Sequence, residues 1–142
     1  MTFTLRRQLT VALENEPGRL AMISRLLTDS GVTIDGLCVI DNIEQGVVRI
    51  LPSDADLCHD QLTSNGFYVV ESEVLAINLS SMHGILARVT QALADGKINI
   101  DYAYVTAAHE AGYSMLVMKV SDLPMAESIL EGLSFDGSLP GS

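Results

Sequence analysis

The chain has 142 residues, 48% of them apolar, and its eight Lys plus Arg stand against eighteen Asp plus Glu for a formal charge of -10. Nucleic-acid binding draws most of its affinity from clustered cations, and the only basic pair is Arg6-Arg7, so the composition argues against a nucleic-acid partner. No apolar run reaches the roughly 18 residues of a membrane-spanning helix and the opening residues carry no secretory pattern, so a cytoplasmic location without membrane contact is the expectation.

The first predicted element is a strand over about Gln8 to Leu13, where Leu9, Val11 and Leu13 alternate onto one face. Asn15-Glu16-Pro17-Gly18 then forms a turn. It leads into a helix marked by Leu20, Ile23, Leu26 and Leu27 at helical spacing, and Gly31 ends it. Val32 to about Asp41 reads as a second strand, 42–45 as a turn, and Gly46 to Leu51 as a third strand in a hairpin with the second. A second helix follows, with Ser53 as the expected cap, Leu57 and Leu62 on the buried side and Gly66 at the end. Phe67 to Val70 is the fourth strand, which completes a βαββαβ order with both helices on one face of an antiparallel sheet.

From Val74 the pattern begins again. Leu9-Val11-Leu13 returns about 66 residues later as Leu75-Ile77-Leu79, Gly18-Leu20-Ala21 as Gly84-Leu86-Ala87, Val32-Ile34-Asp35 as Ile98-Ile100-Asp101, and Gly46 aligns with Gly112. A period of this length is one whole small domain, so the chain is an internal duplication. The predicted elements of the second copy are a strand to Leu79, a helix from Gly84 to Asp95, strands over Lys97 to Thr106 and Gly112 to Val120, and a helix from Asp122 to Leu133. Its fourth strand is weak, with only Leu133-Ser134-Phe135 to serve. The expected organisation is a first module over 1–72, a second over 73–135, and a loose tail over 136–142.

The strand ending in Leu13-Glu14-Asn15-Glu16-Pro17-Gly18, the helix after it, and Gly31-Val32-Thr33-Ile34-Asp35 opening the next strand together resemble the ACT domain family. The resemblance covers nearly the whole chain twice; in the second copy Ser81-Met82-His83-Gly84 stands in place of the Pro-Gly turn. It implies an α+β fold of two ferredoxin-like modules and the role of a small-molecule-binding regulatory protein, with an amino acid held where two modules meet. The implied polar contacts are an Asn in the loop after the first strand and an Asn just before the Ile of the second strand. Asn15 and Asn99 hold those places, and Ser81 and Thr33 are their counterparts. Glu16, Pro17, Gly18, His83, Gly84 and Ile100 complete the candidate site.

A side-chain amide donates to a carboxylate and accepts from an ammonium group, so Asn suits an amino-acid ligand. The same residues have plainer uses. Asn15 suits a helix cap, Gly18 and Gly84 suit tight turns, and His83 suits an exposed loop. Val48, Ile50, Leu116 and Met118 oppose Val47, Leu51, Met115 and Val117 on the third strands, so both faces are apolar, and a homodimer is expected to cover the second one. Tyr102 and Tyr104 share one face of their strand. Cys38 and Cys58 form no CxxC pair, and His59 and His109 have no ligand at metal spacing, so neither a metal nor another cofactor is expected. Catalysis needs a converging nucleophile and base or paired carboxylates, and no such set is present in the pattern. The alternative to a sensor is a non-catalytic subunit that docks on an amino-acid biosynthetic enzyme without a ligand of its own.

Overall fold

The computed structural model describes residues 2–14, 16–41, 45–79, 83–107 and 114–133. Among these, six strands and four helices follow in the order β1 (Phe3–Leu13), α1 (Arg19–Asp29), β2 (Ile34–Ile40), β3 (Gly46–Pro52), α2 (Ala55–Ser64), β4 (Val69–Asn78), α3 (Ile85–Asp95), β5 (Ile100–Val105), β6 (Met115–Val120) and α4 (Leu123–Glu131). The chain divides into two compact units, Arg6–Glu73 and Val74–Ser142, the second joined by Met1–Leu5.

In Arg6–Glu73, β3 lies between β2 and β1 in antiparallel register, with Leu9 opposite Ile50 and Val11 opposite Val48. Those four residues, with Ile23 and Leu27 of α1 and Cys58 and Leu62 of α2, make a closed core. Both helices therefore cover one face of the sheet. Arg7 on β1 binds Asp56 in the first turn of α2 and Glu71 on β4, and the hydrogen bond from its guanidinium holds the Asp56 carboxyl below the ordinary range. The α2 cap is Asp54, whose carboxylate accepts from the Leu57 amide at 3.0 Å, rather than the expected Ser53. Ser53 has another task. Its Oγ accepts from the Thr33 amide at 2.9 Å and its own amide donates to the Thr33 carbonyl at 2.8 Å, clasping the start of β2.

The unit Val74–Ser142 has the same plan. β6 lies between β5 and β4, and Leu75, Ile77, Leu116 and Met118 pack with Val89, Leu93, Ala126 and Leu130 of the two helices. Asn99 and Ser121 repeat the two-bond clasp at 2.9 Å each. A β-bulge falls at the same point of both second strands, at Asp35 and Asp101. The repeat is not gapless to its end: Leu9 faces Ile50 whereas Leu75 faces Met118, so the second copy has two extra residues before its third strand and Gly46 has no counterpart at Gly112. The insertion falls in the β5–β6 connection, where length is least constrained.

The weak fourth strand of this unit has a replacement from the far end of the chain. Leu133 is in no strand, and 134–135 and the tail lie outside the described residues. Instead the Thr2 carbonyl accepts from the Asn78 amide at 2.9 Å and Phe3 packs on the core of this unit. Strand β4 runs unbroken through residues 71–73. On the second faces of the third strands Leu51 and Val117 are buried. Large apolar residues left exposed include Leu37, Val39 and Ile40 on β2 and Val105 on β5, along with Leu5 on β1, Val70 on β4 and Met22, Leu86 and Met125 on the helices.

Candidate functional site

The two helix entries after β1 and β4 are built alike. Gly18 and Gly84 each precede their helix in the left-handed region, at φ 88° and 79°, where a Cβ is strained, so the backbone reverses without a side-chain cap. The chemistry that follows differs. Arg19, the first residue of α1, pairs with Glu14 at 2.9 Å and Glu16 at 3.2 Å. In the second copy the position belongs to Ile85, which is buried in the core.

Glu14, Glu16, Gly18, Arg19 and Asp41 line a half-open cavity of about 280 Å³ with Leu13, Leu20 and Ala21 on one side and Val39, Ile40 and Gly46 on the other. Gly46 must be small there, since a Cβ would stand 3.0 Å from the Ile40 carbonyl oxygen. Glu14 and Arg19 also border a second hollow of about 240 Å³ with Asn65 and Tyr68. The guanidinium thus stands between two recesses of the same unit.

Of the sequence candidates, Glu16 and Gly18 line the 280 Å³ cavity, and Pro17 is exposed beside them. Asn15 and Ser81 lie outside the described residues. Asn99 is exposed, and its side-chain amide donates to Asp101 at 3.0 Å, while Lys119 holds the other Asp101 oxygen at 3.4 Å. Ile100 packs against the core. In the other copy Arg6 binds Asp35 at 2.8 Å. The shared bulge explains these carboxylates, because an extra residue re-aims the side chain at that point of the strand. His83 and Gly84 line a shallow groove of about 620 Å³ along α3 with Arg88, Asp95 and Leu133.

Tyr102 and Tyr104 are half-buried on β5. His59 lies 3.6 Å from Asp60, and His109 lies outside the described residues. Among the described residues no three of His, Cys, Asp and Glu gather as a metal site, and no helix is long and apolar enough to cross a membrane. Arg19 is the residue that sequence reasoning passed over; the signal was its replacement by Ile85 between two otherwise matching glycine-leucine entries.

A family model described as an ACT domain pair matches residues 2–135. The chain belongs to the ACT domain family. ACT domains are regulatory modules typical of amino-acid sensing. The ACT pair is similar in structure to protein BT0572 from Bacteroides thetaiotaomicron, at 27% identity and a TM-score of 0.82, over 91% of this chain and 88% of that one. It shares its fold with the ligand-free regulatory subunit of aspartate kinase from Thermus thermophilus, at 18% identity and a TM-score of 0.62, over 92% and 93% of the two chains. The corresponding subunit from Thermus flavus matches at 17% identity and a TM-score of 0.57, over 92% and 94%. No curated protein matches the sequence.

Proposed function

We propose that this ACT pair is a non-catalytic cytoplasmic sensor that binds an amino acid or a metabolite of similar size and passes its occupancy on through a change in association. The observation that carries the reading is the charged cavity at the α1 entry, set in a family of regulatory modules. A regulatory ligand shifts an equilibrium only by its differential affinity for the two states. A homodimer is the natural responding assembly, with the exposed apolar residues of β2 as the surface it would bury. A single species at 15.3 kDa in sedimentation equilibrium, with and without amino acids, contradicts that part.

The ligand contacts proposed are Asn15, Glu16, Pro17 and Gly18 at the first helix entry, His83 and Gly84 at the second, and Asn99 with Ile100 at the start of β5. Asn15→Ala and Asn99→Ala should each weaken binding severalfold, and Thr33→Ala should change it little. A combined loss smaller than the sum of the two identifies a shared ligand, because residues serving one ligand are not additive. Equal losses from all three substitutions contradict the assignment. The partner proposed is an amino-acid biosynthetic enzyme, in keeping with the aspartate kinase regulatory subunits that share the fold. Pull-down with such an enzyme whose strength is indifferent to every amino acid would favour a docking subunit without its own ligand.

A further inference from the structure

The second helices of the two units begin and end alike. Asp122 caps α4 by accepting from the Met125 amide at 3.1 Å, as Asp54 caps α2 by accepting from the Leu57 amide at 3.0 Å. At the far ends the Leu133 amide donates to the Leu130 carbonyl and the Asn65 amide to the Leu62 carbonyl, both at 3.2 Å. Leu133 therefore stands where Asn65 does, and two positions further on Phe135 stands where Phe67 does. The walls that face these ends correspond as well. Met22 of α1 and Asn65 border the hollow of about 240 Å³ in the first unit, while Arg88, at the place of Met22 in the repeat, and Leu133 border the groove of about 620 Å³ along α3. In the first unit Gly66, Phe67 and Tyr68 complete the wall, and Phe67 packs against the core.

We infer that the α3 groove is the docking place of the chain's own segment 134–136, with Phe135 seated against Ala87, Ala92 and Leu133 and the Asp136 carboxylate on the Arg88 guanidinium. The segment lies outside the described residues, and it starts at the groove, because Leu133 is both its predecessor and a groove wall. It has no place in the sheet. The Thr2 carbonyl accepts from the Asn78 amide just as the Tyr68 carbonyl accepts from the Ala12 amide, so residues 2–5 already hold the strand position into which Phe67 leads in the first unit. The segment is thereby turned aside after Phe135, onto α3. Charge complementarity fits the same course: Asp136 is the only charged side chain after Glu131, and the helix residue that replaces the apolar Met22 is an arginine, whose planar fork matches a carboxylate. An apolar anchor and an ion pair are what tie down a segment at the edge of a domain. His83 and Gly84 line the same groove, so the docked segment covers the second helix entry, and a molecule that uses that entry has to displace it.

The test is nuclear Overhauser spectroscopy of the full chain, which needs no variant to be decisive. The expected result is a set of contacts from the Phe135 ring to the methyl groups of Ala87 and Ala92. Arg88→Met and Asp136→Asn should each weaken those contacts about twofold, and the two together should weaken them no further, because both remove one shared interaction. Phe135→Ala should speed amide exchange on the groove side of α3, at Arg88 and Ala92, several-fold, and leave α1 unchanged. A Phe135 ring without contact to α3 in the native chain overturns the inference. So do contacts that appear only between labelled and unlabelled chains in a mixed sample, since the occupant is then a second copy. Contacts of equal strength in the native chain and both charge variants overturn the pairing of Asp136 with Arg88.

Discussion

Lys97 occupies the left-handed region at φ 60°, the only described residue other than glycine with a positive φ. In the first copy the same position is Gly31, at φ 82°. An L side chain there costs about 1–2 kcal/mol, partly offset by the greater freedom that glycine has in the unfolded chain. Lys97→Gly should therefore stabilise the protein by about 0.5–1 kcal/mol, read as a higher urea midpoint with unchanged slope; a lower midpoint contradicts this. Cys58 gives a pH signature. Burial, helped by the charge of Asp54, pushes its thiol from 9.0 up to about 11. The folded state keeps the proton longer than the unfolded one, so the contribution is full below about pH 9 and is lost as pH rises through about 11, a change of about 2 kcal/mol. Cys58→Val has no thiol to titrate. The stability difference between native and variant chains should narrow over that window, and a difference that stays constant refutes the assignment. Residues of this kind were only half legible in sequence: the Gly31/Lys97 exchange is visible in the repeat, but the left-handed backbone that gives it meaning is not.

At the scale of elements, the duplicated pattern of apolar alternation and helix entries was legible because each strand and helix buries one face of its own copy. Two features escaped. The β5–β6 insertion shifts the register by two, and glycine identity at 46 and 112 concealed it. The fourth strand of Val74–Ser142 comes from residues 2–5, a pairing between segments far apart in sequence that no local propensity encodes. Phe3→Ala should cost about 1–3 kcal/mol, less than a fully buried Phe, and should expose the Asn78 amide, which the Thr2 carbonyl holds at 2.9 Å. Hydrogen exchange reads this directly. Faster exchange at Asn78, with little change at the β1–β3 pairs of Val11 and Leu13, is the expected pattern. Uniform acceleration across both units, or none at Asn78, contradicts the strand's assignment to that unit.

For the whole molecule, a duplication lets the two copies keep one fold while their entries diverge. The family and its fold were legible from the repeated turn and strand order. The ion set at the first entry was not, because Glu14 and Arg19 are ordinary solvated residues until the reversal at Gly18 brings them together. A ligand that binds only the folded state stabilises it by mass action, by roughly 2.7 kcal/mol at about 100 times its dissociation constant. In a chain of this size each kcal/mol raises the melting temperature by about 2–4 °C. Thermal denaturation of the full chain in saturating amounts of each of the twenty amino acids is the most direct measurement. The sensor account expects a rise of about 5–10 °C with one or a few chemically related amino acids and none with the rest. A melting temperature unmoved by all twenty contradicts it.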